Sequence, residues 1–173
     1  MELAFKPNFS IEPKYALLVG ETSIIYARLE STVVDIVGFF KKGYRTGYYC
    51  HELLNPSDVL NDLKEVSEYD PQAFEPIVQG FDRSVLLRNA LAHSVPCGGE
   101  DGYDVLHFQS GLIRRGSKKP AKKANPYRNA VFSYDYLLQE TKELAKVCKV
   151  ASDYFYLLRA RAAAGEVFPG EPC

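Results

Sequence analysis

Apolar residues recur at three- and four-residue intervals through most of this chain, and the rhythm marks out four helices. In the first, Ser10, Glu12 and Pro13 supply a capping hydroxyl, an early acid and a proline tolerated in the opening turn. Leu17, Leu18, Ile24, Ile25, Leu29, Val33, Ile36, Val37 and Phe40 then keep the spacing until Lys41-Lys42-Gly43, a cationic last turn with a terminating glycine. That predicts a helix of about 28 residues, roughly 40 Å long. Asn55-Pro56-Ser57-Asp58 opens a shorter amphipathic helix carrying Val59, Leu60, Leu63 and Val66 and ending near Tyr69. Asp70-Pro71 repeats the start signal, and Phe74, Ile77, Val78, Phe81, Val85, Leu87, Leu91 and Ala92 carry a third helix to His93, with Pro76 and Gly80 as irregularities near its beginning. Ser133 caps the last helix, whose stripe of Leu137, Leu144, Val147, Cys148, Ala151, Tyr154, Phe155 and Leu158 runs to about Ala164 before Gly165.

Between the third and fourth helices the pattern changes. Tyr103–Phe108 and Ala130–Phe132 are aromatic and β-branched, which predicts a small hairpin or extended pair. The Pro/Gly-rich stretch after His93 reads as a loop, and Gly43–Asn55, with Tyr44, Tyr48 and Tyr49, as a connector over the core. The expected fold class is all-α, an up-and-down bundle of about four helices with a small β-hairpin and basic loop inserted before the last helix. Residues 1–165 form one domain, and the proline- and acid-containing tail 166–173 should be flexible.

With 173 residues, 46% of them hydrophobic, the chain can bury one core. Its formal charge of −1 hides a segregation. Between Asp104 and Asp135 lie Arg114, Arg115, Lys118, Lys119, Lys122, Lys123 and Arg128, and no acid. Such a patch suits a polyanion, although a solvated loop is the commoner fate of a charge run. Cys50, Cys97, Cys148 and Cys173 show no C-x-x-C spacing and Met1–Pro7 has no apolar secretory core, so a reduced cytoplasm is expected. No run reaches the roughly 20 apolar residues of a membrane span. His51 beside Cys50, and Asp104 with His107, make poor metal sites. Phosphate-loop, nucleophile-elbow and H-E-x-x-H patterns do not occur, and no cofactor or metal is expected.

Chemistry concentrates in Arg88-Asn89-Ala90-Leu91-Ala92-His93, at the end of the third helix. Asn89 and His93 are four apart and share a face, so the amide can fix the imidazole tautomer. Arg88 is long enough to reach the same face, and a helix C-terminus favours protonated histidine. In the first helix Tyr26 and Glu30 also stand four apart. Glu30 lines the site, orients Arg88, or is a surface acid paired with a lysine.

The string R-N-A-L-A-H resembles the R-x-x-x-x-H motif of the HEPN superfamily of small helical domains, including the polar residue directly after the arginine. The order of elements, with the motif on the third major helix followed by a loop and a final helix, is similar to that family across nearly the whole chain. An aromatic four residues before a glutamate in the long first helix also resembles a HEPN-like feature. The resemblance implies a metal-independent endoribonuclease acting as a homodimer that apposes two motifs in one cleft, often in toxin–antitoxin or antiviral defence systems, with an antitoxin as a further partner. Arg88, Asn89 and His93 match its catalytic positions, and RNA is the substrate it implies. A second reading is a non-catalytic dimeric scaffold that uses the basic loop to hold RNA or protein; a third is a structural bundle with a coincidental motif.

Overall fold

The computed structural model describes residues 13–42, 55–92, 94–99, 102–108 and 131–170, with 94–99 and 102–108 described by their backbone alone. Helix α1 spans Pro13–Phe40. Its buried stripe is Tyr15, Leu18, Thr22, Tyr26, Leu29 and Val33, and beyond Val33 nearly every residue to Phe40 is buried. Leu17 and Ile24, expected in that stripe, are 74% and 72% exposed. Each lies about 100° round the helix from the residue that follows it, buried Leu18 or half-buried Ile25. Glu21 and Arg28, placed by the sequence in or beside the stripe, are exposed too.

Helix α2 (Pro56–Val66) starts where the sequence predicts: Asn55 Oδ1 accepts from the Ser57 N–H at 3.0 Å, with Pro56 in the first turn. A single 3₁₀ turn, Ser67–Tyr69, leads to α3 (Pro71–Ala92), whose first turn is capped by Asp70 Oδ1 accepting from Ala73 N–H at 3.3 Å. Lys41, just past the end of α1, bridges Asp62 at 2.6 Å and Glu65 at 2.8 Å on α2. Helix α4 (Tyr134–Ala163) is capped by Ser133, which accepts from Tyr136 N–H, and ends at Gly165 with φ +93°, a conformation L side chains rarely adopt.

The bundle is all-α in its layers, as expected, and ring contacts fix its directions. Tyr15 meets Tyr134 at one end (centroids 5.5 Å apart) and Phe39 meets Phe155 at the other (6.1 Å), so α1 and α4 run side by side in the same direction. Phe40 meets Phe74 at 5.7 Å, while Tyr26 lies beside Arg88, so α3 runs opposite to α1. Tyr69 stacks on Phe40 at 5.0 Å. The chain therefore reaches the same end of the bundle after α1 and again after α2, and the helices do not alternate strictly. Among the described residues no helix is long and apolar enough to cross a membrane.

Among the described residues three short strands precede α4, in the order β1 (Ser94–Gly99), β2 (Gly102–Phe108) and β3 (Val131–Ser133), all antiparallel. The pairing of β2 with β3, Leu106 opposite Phe132, is the one the sequence predicts. Residues 94–99, read as loop, instead add an edge strand with Pro96 opposite Leu106. An edge strand tolerates a proline that lacks a ladder donor, so the composition masks the pairing.

Among the described residues the apolar core falls into two clusters. One joins the C-terminal half of α1 to α2, the first half of α3 and the second half of α4, and is rich in aromatic rings: Phe39, Phe40, Phe74, Tyr154 and Phe168. The other, at the opposite end, unites Tyr15, Leu18, Leu87, Ala90, Phe132 and Leu137. The expectation of a flexible tail is corrected for residues 166–170. Phe168 is buried 5.1 Å from Phe39, Gly170 N–H donates to Phe39 O at 2.9 Å, and Glu166 pairs with Arg161. A Cβ at Gly170 would collide with the Gly38 carbonyl oxygen, so the strap needs glycine for its close approach. One aromatic residue in a proline-containing tail carries no periodicity to reveal this docking.

Gly80, read as an irregularity of α3, brings α3 and α4 together: a Cβ there would overlap both methyls of Val147. Overpacking typically costs about 1–3 kcal/mol, and alanine returns roughly 1 kcal/mol of helix propensity. Gly80→Ala should therefore lower stability in urea unfolding by about 1 kcal/mol, and adding Val147→Ala should recover part of the loss, a coupling of roughly 0.5 kcal/mol or more. Strict additivity of the two changes would show that the contact does not limit helix approach.

Candidate functional site

Arg88 sits in the penultimate turn of α3 with an exposed side chain. Because α1 and α3 run in opposite directions, it comes beside Tyr26 of α1, with the guanidinium carbon 5.7 Å from the ring centroid. This is cation–π range, worth about 0.5–1 kcal/mol at an exposed site. Tyr26 is buried, and its hydroxyl donates to Glu30 Oε1 at 3.1 Å, one turn on along α1. Burial first, then the charge of Glu30 and its hydrogen bond, push the phenol far above its usual range, and the nearby Arg88 works against them. A carboxylate, a phenol and a guanidinium thus form one connected row across two helices.

Asn89 Oδ1 accepts from Arg88 Nη1 at 2.9 Å. The amide expected to orient the imidazole is therefore engaged, through its oxygen, in fixing the arginine, and its NH₂ group keeps its donors. Helix α3 ends at Ala92. His93, the residue on which the motif's proton chemistry depends, lies outside the described residues, as do the basic residues Arg114, Arg115, Lys118, Lys119, Lys122 and Lys123. The structure brings together Arg88, Asn89, Glu30 and Tyr26. Glu30 has a partner in its own helix, a phenol rather than the lysine that the surface reading assigned it.

Arg88, Tyr26 and Glu30 border a cleft of about 360 Å³ between α1 and α3, walled by Val19, Ala27, Leu87, Leu91 and, from α4, Leu144. Hydroxyls in its lining are turned back on their own helices. Thr22 donates to Leu18 O at 2.7 Å, Ser23 to Val19 O at 2.8 Å and Ser84 to Phe81 O at 2.7 Å. Thr22 also meets Thr141 Oγ1 of α4 at 2.7 Å.

A second cleft, about 450 Å³, opens between α3 and α4. Its charges face one another: Arg83 clamps the buried Glu140 through Nε (3.2 Å) and Nη2 (2.5 Å), and Lys146 meets Glu143 at 2.8 Å. This Arg83–Glu140 pair and the hydroxyls of Thr22, Ser84 and Thr141 were missed in the sequence. A signal was present for the hydroxyls. Thr22 stands four residues from both Leu18 and Tyr26, and Ser84 three from both Phe81 and Leu87, so each occupies a position of the buried stripe. No family model matches the chain, and neither a curated protein nor a solved structure matches it.

The raised Tyr26 phenol makes a pH prediction. An unfolded tyrosine loses its proton near pH 10, whereas the folded one holds it to higher pH. The stabilisation is therefore complete below about pH 10 and falls as pH rises toward the folded value. Tyr154, pushed up to about 12 by burial and by Asp70, acts in the same sense. Tyr26→Phe keeps the ring under Arg88 and removes the bond to Glu30, a loss of about 1 kcal/mol at neutral pH. In urea unfolding from pH 8 to 10.5 its stability should decline less steeply than the parent's. Parallel declines would mean that Tyr26 is not held neutral by the fold.

Proposed function

We propose that the protein is a metal-independent endoribonuclease in which Arg88 and His93 act on the RNA phosphodiester. The observation that carries this reading is the row Glu30–Tyr26–Arg88, which presents a positioned cation at the rim of an open cleft, five residues before the histidine. RNA brings its own nucleophile, so a base for the 2′-OH proton and a cation for the developing phosphorane charge suffice. In the proposed reaction His93 takes the 2′-OH proton as that oxygen attacks phosphorus. Arg88 pairs with the non-bridging oxygens, and the departing 5′-oxygen takes a proton from a second, protonated histidine. The ends left are a 2′,3′-cyclic phosphate and a 5′-hydroxyl. Asn89, bound to Arg88 through its oxygen, links the cation to the histidine face, and Glu30 holds Tyr26 beneath the guanidinium.

The second histidine is supplied by a second copy of the chain. Exposed Leu17 and Ile24, two turns apart on α1, offer an apolar strip to which a second copy can pack. The competing reading, RNA binding without cutting, is favoured by the basic run between Asp104 and Asp135.

Cleavage of end-labelled RNA in excess EDTA tests the proposal. The parent should cut and leave cyclic phosphate ends, while Arg88→Ala and His93→Ala proteins of unchanged helicity should each lose at least about a hundredfold in rate, the scale of removing one acid–base or charge-stabilising group. A His93→Ala protein cutting at the parent rate would overturn the mechanism, and an inert parent that binds RNA in a salt-dependent way would favour the binding module.

Solution mass tests the dimer separately. Ile24→Asp, on an exposed position that leaves the core untouched, should shift a dimeric parent to monomer and remove activity with it. A monomeric parent that cleaves RNA would exclude the shared histidine.

A further inference from the structure

We infer that the cleft between α1 and α3 is a slot for an unpaired guanine, seated beside the phosphate that Arg88 holds; as a specificity site this rests on the ribonuclease reading. Its volume, about 360 Å³, is at the small end of the roughly 300–1,000 Å³ typical of small-molecule sites. Val19, Leu87, Leu91 and Leu144 give it apolar sides suited to a flat ring. Its polar complement is sparse and directional. The hydroxyls of Thr22, Ser23 and Ser84 donate to carbonyls of their own helices, and the single proton of Tyr26 goes to Glu30. Two charged groups remain to meet a ligand, the Arg88 cation and the Glu30 carboxylate.

A carboxylate offers about four acceptor positions, and the Tyr26 bond takes one. The ligand edge it reads best carries two adjacent N–H donors. Guanine presents such an edge, N1–H beside N2–H₂, whereas adenine and cytosine set an acceptor next to their amino group and uracil flanks its one N–H with two carbonyls. An acceptor facing Glu30 is repelled. Anion at Arg88, apolar faces along the walls and paired donors toward Glu30 together describe a guanine nucleotide in a single-stranded RNA.

Titration calorimetry of the full chain with guanosine, adenosine, cytidine and uridine 3′-monophosphates, in EDTA, tests the slot. The guanosine nucleotide should bind about tenfold or more tighter than the others, the discrimination expected of one charge-assisted hydrogen bond. Glu30→Gln, which keeps the shape and gives up an acceptor, should narrow that gap to about threefold or less. Ala27→Phe, at an exposed position of the wall, should weaken all four together. Equal binding of the four, a preference that survives Glu30→Gln, or no binding at all would each overturn the proposal. Guanosine-selective binding by a protein that cuts no RNA would retain the slot and remove the ribonuclease; cleavage at all four bases with no selective binding would do the reverse.

Discussion

Everything in this bundle is arranged around a polar layer that crosses it between two apolar clusters. The buried polar side chains among the described residues are Thr22, Ser84, Glu140 and Thr141, and they share one level: Thr22 between Leu18 and Tyr26, Ser84 between Phe81 and Leu87, Glu140 and Thr141 between Leu137 and Leu144. A buried hydroxyl or carboxylate without a partner is destabilising, and each of these has one. Thr22 and Thr141 join α1 to α4, and Arg83 reaches in from the surface of α3 to neutralise Glu140 on α4. The apolar clusters supply most of the burial. Register is the contribution of the layer, because a shift of any one helix by a turn would strand a hydroxyl or a charge in the wrong cluster.

That register is what creates the site. With α1 fixed against α4 through the threonines, and α3 drawn onto α4 at Gly80, the α1–α3 side has small residues at its rim, Ser23, Ala27 and Ala92, and is left open as a cleft. Tyr26 and Arg88 meet across that space since α1 and α3 are antiparallel and the layer sets their relative height.

The sequence disclosed much of this and concealed the rest for identifiable reasons. Helix limits were legible because Asn55, Pro56, Asp70, Pro71, Ser133 and Gly165 are local signals, each acting through bonds to its near neighbours. Pairing of β2 with β3 was legible from β-branched and aromatic content. Burial in α1 was only half legible: Leu17 and Ile24 are apolar and two turns apart, as core residues are, and only the position of α4 shows that they face away. The docking of Phe168 depends on Phe39 and Phe40, more than a hundred residues earlier, and leaves no local mark. For the site, the proximity of Tyr26 to Glu30 could be read from helical spacing, whereas their meeting with Arg88 required the antiparallel pairing of α1 with α3.

Arginine at position 88 has a physical reason that lysine would not satisfy. A guanidinium is planar, so it can lay one face toward the Tyr26 ring and still direct its edge donors elsewhere. One of those donors goes to Asn89, which limits rotation about the end of a long side chain, and others stay available to a planar or tetrahedral anion. An ammonium has neither the face nor the fork. Glu30 holds the phenol through its hydroxyl, while the Arg88 guanidinium lies over the ring. The cation is therefore oriented by an aromatic plane and an amide, both uncharged, and stands exposed at the mouth of the cleft.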